Sequence, residues 1–447
     1  MLDVREPRVA EEGWILGLGQ EAELTEENDT GLKPPPLRDD CFALPAGVDW
    51  TPVDEALKGL RGRLRGVVAR EELPLSAVLG RVLSEDVVAK RSNPPLPNSA
   101  VDGYGFAFEA LGAGDQTLPL IEGRSAAGVP LGHAVPYGSA VRILTGAALP
   151  EGVDTVILEE DVNAGAREIA FRAGVKPKAN TRKAGEDVIA GDVILRQGLR
   201  LGAPELALAA ATGLGALPVF ERLKVGVLST GDELVEPGEV AGEGQIFDAN
   251  RVMLLGLVAE MGFEPVDLGR VGDDRAALRV RLNEAAGKAD VILTSGGASN
   301  GDEDHMSALL REAGAMQEWR IAIKPGRPLA LGMWAGTPVF GLPGNPVAAL
   351  VCTLIFARPA MGVLAGRGWD EPLGYALPAA FEKRKKAGRR EYLRARMRGG
   401  SVEVFASEGS GRISGLSWAD GLVELPDGEL EIAQGDPVRF IPYASFL

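Results

Sequence analysis

Three times in the second half of the chain, a short apolar run breaks abruptly into small polar residues. Lys224-Val-Gly-Val-Leu228 ends in Ser229-Thr230-Gly231-Asp232-Glu233. Val291-Ile-Leu293 ends in Thr294-Ser295-Gly296-Gly297, and Val339-Phe340 runs into Gly341-Leu-Pro343-Gly344-Asn345-Pro346. Such runs suit strands buried on both faces of a sheet, and between about residues 222 and 369 they alternate with helical patterns. This predicts a doubly wound, mainly parallel α/β domain. In such sheets ligands lie beyond the carboxyl ends of the strands, near the point where strand order reverses. Glycine there removes the side chain and uncovers amide groups for an anion. One such tip reads as an ordinary turn; three of them predict a shared crevice. Ser229, Thr230, Gly231, Ser295, Gly296, Gly297, Pro343, Gly344, Asn345 and Pro346 are therefore its candidate phosphate-binding residues.

Acidic residues follow the same tips. Asp232 and Glu233 end the first, Asp273 follows a strand expected over 265–271, and Asp302, Glu303 and Asp304 open a helix after the second. Any one could cap its helix. Four carboxylates at one edge, Asp232, Glu233, Asp273 and Asp304, would repel one another without a cation, and Mg²⁺ is the ion that suits hard oxygen ligands beside phosphate. Opposite charge arrives at Lys324-Pro-Gly-Arg327-Pro, a tight loop whose Lys324 and Arg327 suit an oxyanion.

The chain has 447 residues, enough for roughly three domains at about 150 residues each, and its net charge of −16 argues against nucleic acid or an anionic membrane as partner. Cys41 and Cys352 form no disulfide framework, and with only His133 and His305 no zinc cluster is expected. The Val347–Ala357 run is too short to cross a bilayer. The default location is a reducing cytoplasm.

Residues 1–44 carry eleven acidic and four basic side chains and end in a proline spacer, a composition that favours a mobile leader. Thr51-Pro52 reads as a helix start with Val53, Leu57, Leu60 and Leu64 on one face. The stretch from about Leu73 to Val88 reads as a helix leading to a strand. Residues 45–90 and 192–221 are taken as an extended linking and dimerisation domain, and 91–191 as an inserted β-rich domain of short strands. The domain at 222–369 precedes a small β-barrel at 370–447. Asp248 is expected to cap the next helix, and a helix is expected over Arg275–Ala286.

With Asn93-Pro-Pro-Leu-Pro-Asn-Ser99-Ala-Val-Asp102-Gly-Tyr-Gly-Phe106 added to the three tips, the chain from roughly Trp50 onward resembles the molybdopterin molybdenumtransferase family, MoeA-like enzymes related to the gephyrin E domain. The resemblance implies molybdenum insertion into adenylylated molybdopterin with release of AMP, using Mg²⁺, with molybdate as the other substrate. It adds Asp102, contributed across a homodimer, to a catalytic set with Glu233, Asp273 and Asp304. Thr145, Asp187, Lys324, Arg394 in EYLR and Ser410 in EGSGR join the substrate-binding set. Arg327 and Arg320 stand where relatives often have lysine, and Ala348 stands near a common serine. Molybdopterin adenylyltransferase is a possible partner. It is also the alternative activity, beside a non-catalytic pterin-binding scaffold.

Overall fold

The computed structural model describes residues 50–296, 305–313, 316–326 and 328–447. The leader, Gly297, Asp304 and Arg327 lie outside them. At the centre is a six-stranded sheet in the order Glu264–Val271, Lys224–Thr230, Val291–Ser295, Thr337–Leu342, Pro328–Trp334, Met316–Arg320. The first four strands are parallel, and the last two turn antiparallel at one edge. From Lys224–Thr230 the chain first crosses to the neighbour on one side, Glu264–Val271, and then to Val291–Ser295 on the other. The carboxyl end of Lys224–Thr230 is thus the switch point of the sheet.

Side chains alternate between two cores, as period-2 strands demand. Val225, Val227, Val291, Leu293 and Phe340 pack with Leu254, Val258 and Leu350 of the helices on one face. Leu228, Ile292 and Val339 pack with Leu278, Leu282, Leu309 and Leu310 on the other. Helix Arg275–Ala286 has the expected bounds, and Asp248 caps Ala249–Glu260 by accepting a hydrogen bond from the Arg251 amide at 3.1 Å.

Three expectations are corrected. The segment Leu73–Val88 holds no helix beyond a turn at Leu75–Ala77. Its Leu83 and Val82 instead bridge to Val219 and Arg200, giving backbone partners that a local pattern cannot show. Pro52, rather than Thr51, precedes helix Val53–Arg63, and Thr51 bridges to Ile321. The apolar run after Asn345 continues as one helix through Leu364, 19 residues long and so long enough by count to cross a membrane, yet 94% buried in the protein. It is the core helix of the sheet's first face.

Residues 103–171 form a second six-stranded sheet, with Gly103–Phe106 between Thr155–Leu158 and Ala140–Ile143. A β-carbon at Gly103 would collide with the Ile157 carbonyl, which explains the glycine after Asp102. Near the C-terminus, Arg390–Arg398, Gly421–Leu425, Pro437–Pro442 and Tyr375–Pro378 pair antiparallel in that order. Ser401–Val404 pairs with the first of them, and a bridge from Ala379 to Val402 draws the two edges together as in a barrel. Ile323–Lys324 adds to this C-terminal sheet in parallel with Arg390–Glu391, so the loop between strands Met316–Arg320 and Pro328–Trp334 of the central sheet is fixed in the C-terminal one.

Candidate functional site

The strand tips meet. At Gly296, φ is +92°, and a β-carbon there would lie 2.9 Å from Thr230 Oγ1 and nearer still to the Thr230 carbonyl oxygen. Only glycine lets the two strand ends approach so closely. Gly344 stands over Gly296, with 3.9 Å from its own β-carbon position to the Gly296 Cα. Asn250, buried at the start of its helix, ties the tips together: its Nδ2 donates to Ser295 Oγ at 2.8 Å and to the Gly344 carbonyl at 2.7 Å. Around this junction Ser229 Oγ, Thr230 Oγ1, Thr294 Oγ1 and Asn250 Oδ1 are buried without a hydrogen-bond partner among the described residues. Buried polar atoms left unpaired cost about 1–3 kcal/mol each, so their clustering under the glycine turn favours a polar occupant supplying bonds from above.

The acidic edge is partly assembled. The Asp273 amide donates to Asp232 Oδ1 at 3.0 Å and the Asp232 amide to Asp273 Oδ2 at 3.3 Å, a reciprocal clasp holding both carboxylates side by side. The Glu233 carboxylate folds back over Gly231. Asp304 lies outside the described residues. Among the described residues no three His, Cys, Asp or Glu side chains form a metal cage.

From Gly344 the surface continues toward the cations. Asn345 opens helix Pro346–Cys352 without capping it by its side chain. The Val347 amide donates to the Ser410 carbonyl at 3.2 Å, which brings the C-terminal loop holding Ser410 over the helix start. Gly326, at φ +115°, lies against Cys352 Sγ and Ala348, so this small-residue contact seats the Lys324 loop on the same helix; burial pushes the Cys352 thiol up to about 12. Lys324 lines a cleft with Val347, Lys383, Arg394 and Glu408. Its ammonium is 2.7 Å from Glu408 and 3.6 Å from buried Glu391, and Lys383 contacts the same two carboxylates. Burial raises the Glu408 pKa, but the two ammonium groups outweigh it and hold the carboxyl below its usual range.

Arg394 also lines this cleft, although it is only 4% exposed. Its guanidinium donates to the carbonyls of Arg412, Ser407 and Gly409 and stacks on Phe405. That geometry makes it the clamp of the loop bearing Glu408 and Ser410.

Asp102 and Thr145 meet elsewhere, in the inserted sheet. Asp102 Oδ1 accepts from both the amide and the hydroxyl of Thr145 at 2.6 Å, and these bonds lower its pKa. Asp187 accepts from Asn93 Nδ2 at 3.0 Å on the neighbouring turn. The hydrogen bonds described for these three residues stay within residues 93–188. Sequence reasoning missed Asn250, Lys383, Glu391 and Glu408. Asn250 directly follows the capping residue Asp248 by two positions, where a polar residue facing the sheet was the available signal.

The chain matches the MoeA N-terminal region (domain I and II) over residues 51–213, a probable molybdopterin binding domain over 226–362 and the MoeA C-terminal region (domain IV) over 376–443. It is 36% identical to a molybdopterin molybdenumtransferase of Haemophilus influenzae, covering 88% of this chain and 99% of that one. It is 34% identical to molybdopterin molybdenumtransferase 2 of Mycobacterium tuberculosis, over 82% of this chain and 93% of that protein. Among solved structures, the molybdopterin biosynthesis moeA protein of Pyrococcus horikoshii superposes with a TM-score of 0.78 at 30% identity, covering 88% of this chain and all of that one.

Proposed function

The chain belongs to the molybdopterin molybdenumtransferase family, and we propose that it carries out the step its relatives are named for: molybdenum insertion into adenylylated molybdopterin, with release of AMP. The observation that carries this reading is the unbroken path from Asp232 and Asp273 through Thr230, Gly296 and Gly344 to Asn345, Val347 and Lys324.

The glycine tips suit the substrate's pyrophosphate, which would accept bonds from uncovered amides and from Ser229, Thr230 and Ser295. Gly231, Pro343 and Pro346 shape the turns, and Gly297 continues the second tip. Among the described residues Asp232 and Asp273 each keep one carboxylate oxygen outside the main-chain clasp. Two such oxygens beside phosphate fit Mg²⁺, which takes one or two protein carboxylates and fills its shell with phosphate and water; Glu233 and Asp304 are further candidates. Bound there, Mg²⁺ supplies charge neutralisation at the departing phosphate oxygen. Lys324, aided by Lys383, offers charge-assisted hydrogen bonds to molybdate, with Arg327 and Ser410 beside it and Arg394 holding the loop.

Asp102, Thr145 and Asp187 act on this reading in the crevice of a second copy, so the working form is a homodimer with the five-part domain division given above. The location is cytoplasmic, and molybdopterin adenylyltransferase is the enzyme that would hand over the substrate. The test is incubation of the purified protein with adenylylated molybdopterin, Mg²⁺ and molybdate, followed by assay of AMP and metallated cofactor. Asp273→Asn and Asp232→Asn should each abolish Mg²⁺-dependent AMP release with the fold intact by circular dichroism; full activity in both removes the metal assignment. Consumption of ATP with free pterin would instead mark an adenylyltransferase, and tight pterin binding without AMP release a scaffold.

A further inference from the structure

At the opposite end of the central sheet, where strands Lys224–Thr230 and Glu264–Val271 begin, three guanidinium groups gather. Arg200 lies over Gly262, with Nη2 3.1 Å from the position of a β-carbon there. Arg222 Nη1 donates to the Gly262 carbonyl at 3.4 Å. Arg367 lines the same concavity, its Nε engaged by Asp370. Arg81 is also present but committed, to Glu71 and the Phe220 carbonyl. Among the described residues, Arg200 has no hydrogen bond or ion pair, and Glu221 on the rim makes no ion pair with any of these cations. Burial, together with the charges of Arg367 and Arg222, lowers the Arg200 pKa. Asp370 engages Arg367, but Arg200 and Arg222 have no carboxylate partner among the described residues, and gathering like charges this closely is unfavourable unless an anion is shared among them.

We propose that Arg200, Arg222 and Arg367 form a second oxyanion site, separate from the glycine crevice, that takes a phosphate-class dianion. Arginine offers planar, forked donors that match phosphate oxygens. The three residues come from different parts of the chain: Arg200 precedes helix Ala203–Ala211, Arg222 enters the central sheet, and Arg367 follows the core helix. An anion held by all three clamps the linking segment to the α/β domain.

The test is calorimetric titration of the whole protein with inorganic phosphate, at pH 8 and constant ionic strength, beside Lys324→Ala, Arg200→Gln and Arg222→Gln variants. Lys324→Ala removes binding at the proposed molybdate cleft and should leave the arginine site's heat in place. Arg200→Gln should weaken that remaining event at least tenfold, and so should rim-exposed Arg222→Gln, which guards against a folding failure of the first. Neither arginine change should alter molybdenum insertion in phosphate-free buffer. A parallel titration of AMP into the wild-type and Arg200→Gln proteins distinguishes sources: an AMP heat component lost in Arg200→Gln assigns a phosphomonoester site, and AMP heats unchanged there while the phosphate component is lost assign a site for the free ion. Phosphate heats unchanged in both arginine variants overturn the proposal. So does an Arg200→Gln protein that binds phosphate normally but sediments as a smaller species, because the cluster then serves contact between copies.

Discussion

The two halves of the proposed crevice are built from different materials. At the strand tips Thr230, Gly296 and Gly344 come together through backbone proximity, and the Asn250 side chain ties Ser295, next to Gly296, to Gly344. Across the start of helix Pro346–Cys352, Lys324, Lys383, Glu391 and Glu408 form a cluster of alternating charge. The first half is set by space and the second by electrostatics. A site made of backbone tolerates almost no added atom, while a site made of charges tolerates changes of shape and responds to salt and pH.

The sharpest way to break this contrast is Gly296→Ala. The residue sits at φ +92°, and the new methyl would press on the Thr230 hydroxyl and carbonyl. Displacing reacting groups by about 1 Å costs roughly 100-fold in rate, so AMP release should fall by about that much or more while circular dichroism stays native. Near-normal activity would show that the tips need not touch.

This difference in material also decides what could be read from the chain. Glycine at a strand end is a local signal, and the tips, helix Arg275–Ala286 and the Asp248 cap follow from residues close in sequence. The charged half depends on distant pairings. Lys324 meets Glu391 only because Ile323–Lys324 pairs in parallel with Arg390–Glu391, and neither segment's pattern names the other. Leu73–Val88 fails for the same reason, since its backbone partners lie near Arg200 and Val219. Arg394 lines the cleft with its Nη donors on the carbonyls of Arg412, Ser407 and Gly409, partners that the local EYLR string does not name.

On the charged side, Lys324→Ala should raise the molybdate concentration for half-maximal insertion by about 10- to 100-fold, the equivalent of one charged hydrogen bond at ~1.5–3 kcal/mol. Added salt should weaken the wild-type protein in the same direction. A requirement that stays unchanged in the variant separates Lys324 from the oxyanion and confines the crevice to the strand tips.

Asn250→Ala tests the tie within the backbone half. It removes the bonds to Ser295 Oγ and the Gly344 carbonyl, and leaving buried partners unsatisfied costs about 1–3 kcal/mol. Chemical denaturation should report that loss, and AMP release should fall more than the half-saturating molybdate rises. The reverse order would mean that the two halves are coupled through Asn345 and Val347 and do not act separately.

The smallest effect belongs to Glu408→Gln. The Glu408 carboxyl is held below its ordinary value because Lys324 and Lys383 outweigh the cost of its burial. A carboxylate with a depressed folded pKa stabilises the protein above its unfolded pKa, and that contribution disappears as pH falls through the folded value. With 43% of the side chain exposed, solvent screening limits the contribution to about 0.5–1 kcal/mol. Wild type should therefore melt slightly above Glu408→Gln at pH 6–7, and the gap should close as the pH drops below the usual carboxylate range. Glu408 also occupies the two ammonium groups that the molybdate reading needs, so the same substitution should lower the half-saturating molybdate at neutral pH. A gap in melting temperature that persists in acid would show that Glu408 acts through packing, and the charged half would then have to be assigned to Lys324, Lys383 and Glu391 alone.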